Sequence, residues 1–353
     1  MTVIETWYPI AGTLKRRGRA DKYAGFYEFT PGVVEPLGTT DAGGPNVGPR
    51  YPLSVYNGDI TLTTPGQVLE GLDIYGKVYI SGTATNAIIR DCIIRGPNHS
   101  LTTDSIIGGQ SDNLRNVTIE WCRLDGTGRT SPWTEGVRGG NYTIRYSEIM
   151  RCVDGISAVN YGNGTVECCR IHNGTYYAWK NDSSGTAWTN YSGYDGVTYT
   201  TFPGQSDFTT HSDAMQIHQF GNWTLRGCSL GGAVSGLSPT TKTNNRDPSI
   251  PAQRAIIDQI DAAEEFNNAC IMIGVATAGV GAMIEKNWFQ GGAAVINMQT
   301  KPSVGDYLAG ITVRDNKFRT STGYYIYHST DFAGTLSNNT FVSNGQPVPI
   351  DTY

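Results

Sequence analysis

Eight nine-residue segments share one pattern of apolar and polar positions. They read NAIIRDCII from Asn86, NVTIEWCRL from Asn116, NYTIRYSEI from Asn141, NGTVECCRI from Asn163, NWTLRGCSL from Asn222, GAMIEKNWF from Gly281, GITVRDNKF from Gly310 and AGTLSNNTF from Ala333. The fourth position is always aliphatic, from Ile89 to Leu336, and the ninth is always large and apolar, from Ile94 to Phe341. Alternation along a strand turns the fourth position inward and the third and fifth outward. Successive segments start 30, 25, 22, 59, 59, 29 and 23 residues apart. Most of these intervals suit one coil of a solenoid, and the two long ones imply a coil plus a loop. The pattern predicts an all-β, right-handed parallel β-helix solenoid with long loop insertions, its hand set by the rule for parallel crossovers.

The fifth column reads Arg90, Glu120, Arg145, Glu167, Arg226, Glu285, Arg314, Ser337. Strands in register lie about 4.8 Å apart, so alternating charges attract where like charges would repel. The alternation therefore predicts that all eight segments are consecutive coils, with Glu167 between Arg145 and Arg226. The seventh column, Cys92, Cys122, Ser147, Cys169, Cys228, Asn287, Asn316, Asn339, reads as a stack of small buried thiols followed by a short asparagine ladder.

Strand-like alternation begins near Asn57. The expected organisation is an arm or cap over 1–56, a β-helix over 57–345 with insertions at about 174–210 and 231–267, and a C-terminal tail over 346–353. The arm carries a basic cluster at Lys15, Arg16, Arg17 and Arg19 and is expected to pack on the first coil or on a partner. The second insertion contains PAQRAIIDQIDAAEEFNN, which predicts a short helix after Pro251.

Composition agrees with this reading. Glycine is abundant at 44 residues and only 16% of residues are charged, which favours short strands and tight turns over amphipathic helices. The net charge of −5 argues against nucleic acid as a partner. No apolar run reaches the ~20 residues of a membrane span. The opening MTVIETWYPIAG lacks the basic start and apolar stretch of a secretory signal, so the expectation is synthesis in a cytoplasm without ordinary export. The seven cysteines follow no metal-ligand spacing.

The candidate chemistry lies in HSDAMQIH, His211–His218. Asp213 precedes Asn222 by nine residues, and Asp154 precedes Asn163 by nine, which predicts stacked aspartates at the starts of neighbouring strands. Gln216 and His218 then face outward, and His211 belongs to the preceding turn. The candidate catalytic residues are Asp154, Asp213, His211 and His218. Stacked carboxyls raise each other's pKa, and a spacing of ~5–5.5 Å is that of a retaining glycosidase. The same pair offers oxygen ligands to a hard cation such as Ca²⁺. The plainer alternative is that each aspartate hydrogen-bonds its own turn. The insertion at 174–210 is dense in aromatic and amide side chains, and Tyr176, Tyr177, Trp179 and Trp188, with Gln216, are candidate sugar contacts. A structural flap or subunit contact is the competing reading of that loop.

The segments TPGQVLEGLDIYGKVYISG…NAIIRDCIIRG, VDGI, and THSDAMQI with NWTLRGCSL resemble the β-helix tail proteins of bacteriophages, and more broadly the pectate-lyase-like superfamily. The likeness covers roughly 57–344. It implies a virion tail component, a minor tail protein, fibre or spike, that contacts host surface glycan beside other tail proteins, as a homotrimer. The chain lacks the Asp-Asp, Gly-His-Gly and Arg-x-Lys set of polygalacturonases and the calcium and arginine pattern of pectate lyases. The alternative is a polysaccharide-degrading glycosidase or lyase on the same scaffold.

Overall fold

The computed structural model describes 7–10, 13–16, 47–96, 104–126, 134–159, 162–172, 174, 178–179, 191–192, 198–199, 208–209, 212–218, 221–231, 268–275, 281–292, 294–300, 310–319, 324–330 and 332–352. The chain is a right-handed parallel β-helix built from three parallel sheets of ten, nine and ten strands. One coil shows the plan: Asp154–Ala158 lies in the first sheet, Gly164–Glu167 in the second and Arg170–His172 in the third. Among the described residues there is no α-helix, and no helix is long and apolar enough to cross a membrane.

All eight repeat segments run through the second and third sheets as consecutive coils. Arg145 pairs in register with Glu167, and Glu167 with Arg226, across the interval of 59 residues. A ninth segment, GQVLEGLDI from Gly66, precedes them and adds Glu70 below Arg90, joined by an ion pair of 2.8 Å. The fourth and ninth positions form the core: Ile89, Ile119, Ile144, Val166, Ile94, Leu124, Ile149 and Ile171 are all fully buried. Burying one such side chain contributes about 1.5–3 kcal/mol, and stacking identical positions repeats that gain in every coil.

The corner between the second and third sheets is a single residue in the left-handed region. It is the sixth position, with φ of 50° at Asp91, 55° at Trp121, 51° at Tyr146, 53° at Cys168 and 59° at Lys286. That conformation costs a non-glycine residue about 1–2 kcal/mol. It is offset because the corner N–H still bonds the next coil, as Tyr146 does to Glu167 O at 3.1 Å and Lys286 to Arg314 O at 3.2 Å. The seventh position then turns inward. All seven cysteines are free. Cys228 donates its N–H to Asn287 Oδ1 (2.9 Å), Asn287 to Asn316 Oδ1 (2.9 Å) and Asn316 to Asn339 Oδ1 (3.3 Å), forming the asparagine ladder.

The sheets extend beyond both expected limits. Ser54–Asn57 already pairs with Leu72–Tyr75, and Ile350–Thr352 continues the first sheet beside Tyr324–His328. Before Ser54, residues 47–50 cross three successive coils along the corner and are not confined to the first. Gly48 donates to Tyr146 O (3.0 Å). Arg50 lies over the Trp121 ring at 4.7 Å and ion-pairs Asp91 at 2.7 Å. The basic cluster from Lys15 is described only as backbone where the hairpin Trp7–Ile10/Thr13–Arg16 includes it, and the helix expected after Pro251 lies outside the described residues.

Candidate functional site

The first sheet holds the site. Its strands Asp154–Ala158 and Asp213–Ile217 pair with Ile156 beside Met215, Ser157 beside Gln216 and Ala158 beside Ile217. The two aspartates therefore begin neighbouring strands, as the repeat spacing predicts. Their hydrogen bonds differ from an own-turn bond. Asp154 Oδ1 accepts the N–H of Asp213 at 3.0 Å. Asp213 Oδ1 accepts the N–H of Ala269 at 2.8 Å and the amide of Asn268 at 2.9 Å, and that amide also reaches Oδ2 at 3.3 Å. Each carboxyl caps the first amide of the neighbouring strand on the following coil.

A third carboxyl completes the row. Glu135 is in register with Asp154 on the coil before. Arg138 holds it with bonds of 2.9 and 3.2 Å and reaches Asp112 at 3.1 Å. Sequence spacing misses Glu135 because it stands six residues before Asn141, where Asp154 and Asp213 stand nine before theirs. The available signal was Glu135-Gly136-Val137 matching Asp154-Gly155-Ile156. The glycines are required. A Cβ on Gly155 would lie 2.5 Å from Ile171 Cγ2 and 2.6 Å from Ala214 O.

Burial raises all three carboxyls, and repulsion from the preceding carboxyl adds to it at Asp154 and Asp213. Burial pushes Glu135 up to about 7 against the pull of Arg138. Burial, then the charge of Glu135, lifts Asp154 to about 8. Asp213 is driven well above the carboxylate range by burial and by Asp154, although the Ala269 and Asn268 donors oppose the shift. Asp213 is completely buried and Glu135 nearly so, whereas Asp154 is partly exposed. A group titrating near neutral pH is suited to proton transfer, and of the three only Asp154 combines such a pKa with more than slight exposure.

The outward row of the first sheet runs Arg138, Ser157, Gln216, Met272, Asn297, Tyr327, Asp351. Gln216 is half-buried in this row. His218 follows the strand and donates its N–H to Ala158 O at 3.0 Å. His211, Tyr176, Tyr177 and Trp188 lie outside the described residues. Trp179 is placed only through its backbone, in an antiparallel pairing with Phe208. Among the described residues no group of three His, Cys, Asp or Glu side chains is arranged to hold a metal ion. A Ca²⁺ ion at Asp213 would have to displace its amide donors.

No family model, no curated protein and no solved structure matches the chain.

Proposed function

We propose that the protein is a tail component of a bacteriophage virion that holds host cell-envelope polysaccharide against the outer face of its first sheet. The resemblance of the repeat, VDGI and THSDAMQI segments to phage tail β-helices supports the reading. In it, the chain works as a homotrimer beside other tail proteins. The observation that carries adhesion over catalysis is the use of Asp213. It is completely buried and its carboxyl is occupied by the Ala269 and Asn268 donors. It caps a strand and is not presented to a substrate.

A specific observation favours the second reading, a polysaccharide depolymerase. Asp154, with a pKa of about 8, is partly exposed beside Glu135 at about 7. An acid and a base of that kind contribute roughly 10²–10⁴-fold to a rate. The test is to incubate the protein with host-envelope polysaccharide and measure both retention and new reducing ends or unsaturated products. Retention without products supports the adhesin. Products abolished by Asp154→Asn establish the enzyme. Absence of both retention and products ends both readings.

A further inference from the structure

The C-terminal end of the first sheet carries an aromatic platform. On the strand Tyr324–His328, Ile326 is fully buried, and Tyr324 and Tyr327 stack with ring centroids 4.6 Å apart and planes 16° from parallel. Tyr324 is 49% exposed. Tyr325 turns the other way, edge-on to Phe318 and Phe341, and fixes the strand to the core. The platform is therefore a flat apolar ring with a hydroxyl edge, anchored on rigid β-structure. Such a surface matches the C–H face of a sugar ring, which is apolar in the middle and polar at its rim.

A second observation on the same face points to a polar ligand. Asn297 is in register with Tyr327 in the outward row. It is only 7% exposed, yet its Oδ1 has no hydrogen-bond partner. Buried amide oxygens normally accept a hydrogen bond. Turned outward from its enclosed position, that amide offers an acceptor to a hydroxyl group on a ligand seated against the tyrosines.

Charge narrows the ligand further. The five strands from Asp213–Ile217 through Ile350–Thr352 contain no lysine or arginine. Arg138, the only arginine or lysine in the strands of this sheet, is held by Glu135 and Asp112. Asp351 stands beside Tyr327 in the same outward row. The second and third sheets, by contrast, carry arginines on coil after coil. An anionic sugar would meet Asp351 in the outward row and no available arginine or lysine on these strands to offset it.

We propose that Tyr324, Tyr327 and Asn297 form a subsite for an uncharged sugar ring of the polysaccharide. It rests on the proposed binding face and names the class of glycan that face takes. Four strand spacings, about 19 Å, separate the platform from Asp154, so one chain lying along the axis reaches both.

The test uses the full-length protein in affinity electrophoresis. The probes are neutral polysaccharides (dextran, mannan, arabinogalactan), anionic ones (polygalacturonate, alginate) and extracted host-envelope polysaccharide. The expected result is retardation by a neutral probe and by the extract but not by the anionic probes. Tyr324→Ala and Asn297→Ala should each weaken it at least tenfold with an unchanged melting temperature, while Tyr324→Phe retains it. Because Tyr324 is half exposed, its substitution keeps the test valid if Asn297→Ala unfolds the strand. Preference for the anionic probes overturns the proposal. So does retardation that survives both alanine substitutions, which sinks the subsite but leaves the binding function standing. No retardation by any probe, the extract included, overturns both.

Discussion

Glu167 stands in register between Arg145 and Arg226, but both arginines turn away from it. Arg145 bonds Glu120 at 2.9 Å, and Arg226 bonds Glu285 at 2.6 Å. Glu285 also accepts Arg314 at 2.8 Å, so one carboxylate serves two guanidiniums while another in the same column serves neither neighbour. Alternation of charge sets the register, and side-chain length then lets each arginine choose which neighbour to bond.

Unequal effects follow along the column. Burial works against the charged form of Glu285, but hydrogen bonds from Arg314 and Arg226 outweigh it and hold its carboxyl below the usual range. Its contribution is therefore present above the ordinary carboxylate pKa and is lost as pH falls through the lowered one. Both arginines are nearly half exposed, which screens the pairs. Glu285→Ala should cost about 1–2 kcal/mol at neutral pH, and Glu167→Ala about 0.5 kcal/mol or less. Urea unfolding of the two variants checks this, and equal losses would remove the distinction.

The repeat was legible because its corner has fixed length. From the second sheet through the left-handed residue to the third sheet, nothing is inserted, so Ile89, Arg90, Cys92 and Ile94 recur at constant spacing in every coil. The ninth copy escaped notice because Leu72 replaces the usual cysteine, serine or asparagine at the seventh position. First-sheet strands are joined to the rest by loops of variable length. Asp154 and Asp213 emerged only because their loops to Asn163 and Asn222 are equal. Glu135, Asn297 and the tyrosine pair had no such coincidence.

The asparagine ladder should be the least substitutable part of the seventh column. Asn316 Oδ1 accepts both the N–H and the side-chain amide of Asn287, and its own amide donates to Ile284 O and Asn339 Oδ1. Asn316→Leu leaves a buried donor and a buried acceptor without partners, a loss of about 3 kcal/mol or more. Asn316→Ser should cost clearly less, because Ser147 does the same work for the N–H of Cys122 at 3.1 Å. Denaturant midpoints that rank serine below leucine would contradict the hydrogen-bond account.

The carboxyl row makes stability depend on pH in an unusual direction. Asp154 is raised from its ordinary 3.8 to about 8, so between those values the folded chain holds a proton that the unfolded chain has released. A carboxyl of this kind favours the folded state most below the unfolded pKa, and the advantage declines as pH rises toward the folded one. The expected result is a melting temperature that falls between about pH 4 and pH 8. Asp154→Asn, which keeps an acceptor for the Asp213 N–H, should flatten the slope. Melting scans across that range read it directly. A slope unchanged by the substitution would place the raised group elsewhere.

Gly164 and Trp223 test whether the core is filled coil against coil. They are register partners at the second position of neighbouring segments, with Tyr142 on the far side of Gly164. Trp223 and Tyr142 are both buried, and their rings meet edge-on at 5.5 Å across the coil that has no side chain. A Cβ on Gly164 would lie 1.8 Å from the Trp223 ring, so the indole occupies the space an alanine would need. Gly164→Ala should cost about 1–3 kcal/mol as an overpacking change. Trp223→Leu alone should also destabilise, by opening a cavity beside Tyr142. Combined, the smaller leucine makes room for the new methyl group, and the double variant should lose at least about 1 kcal/mol less than the two single losses added together. Strictly additive losses would show that the two sites do not share that volume.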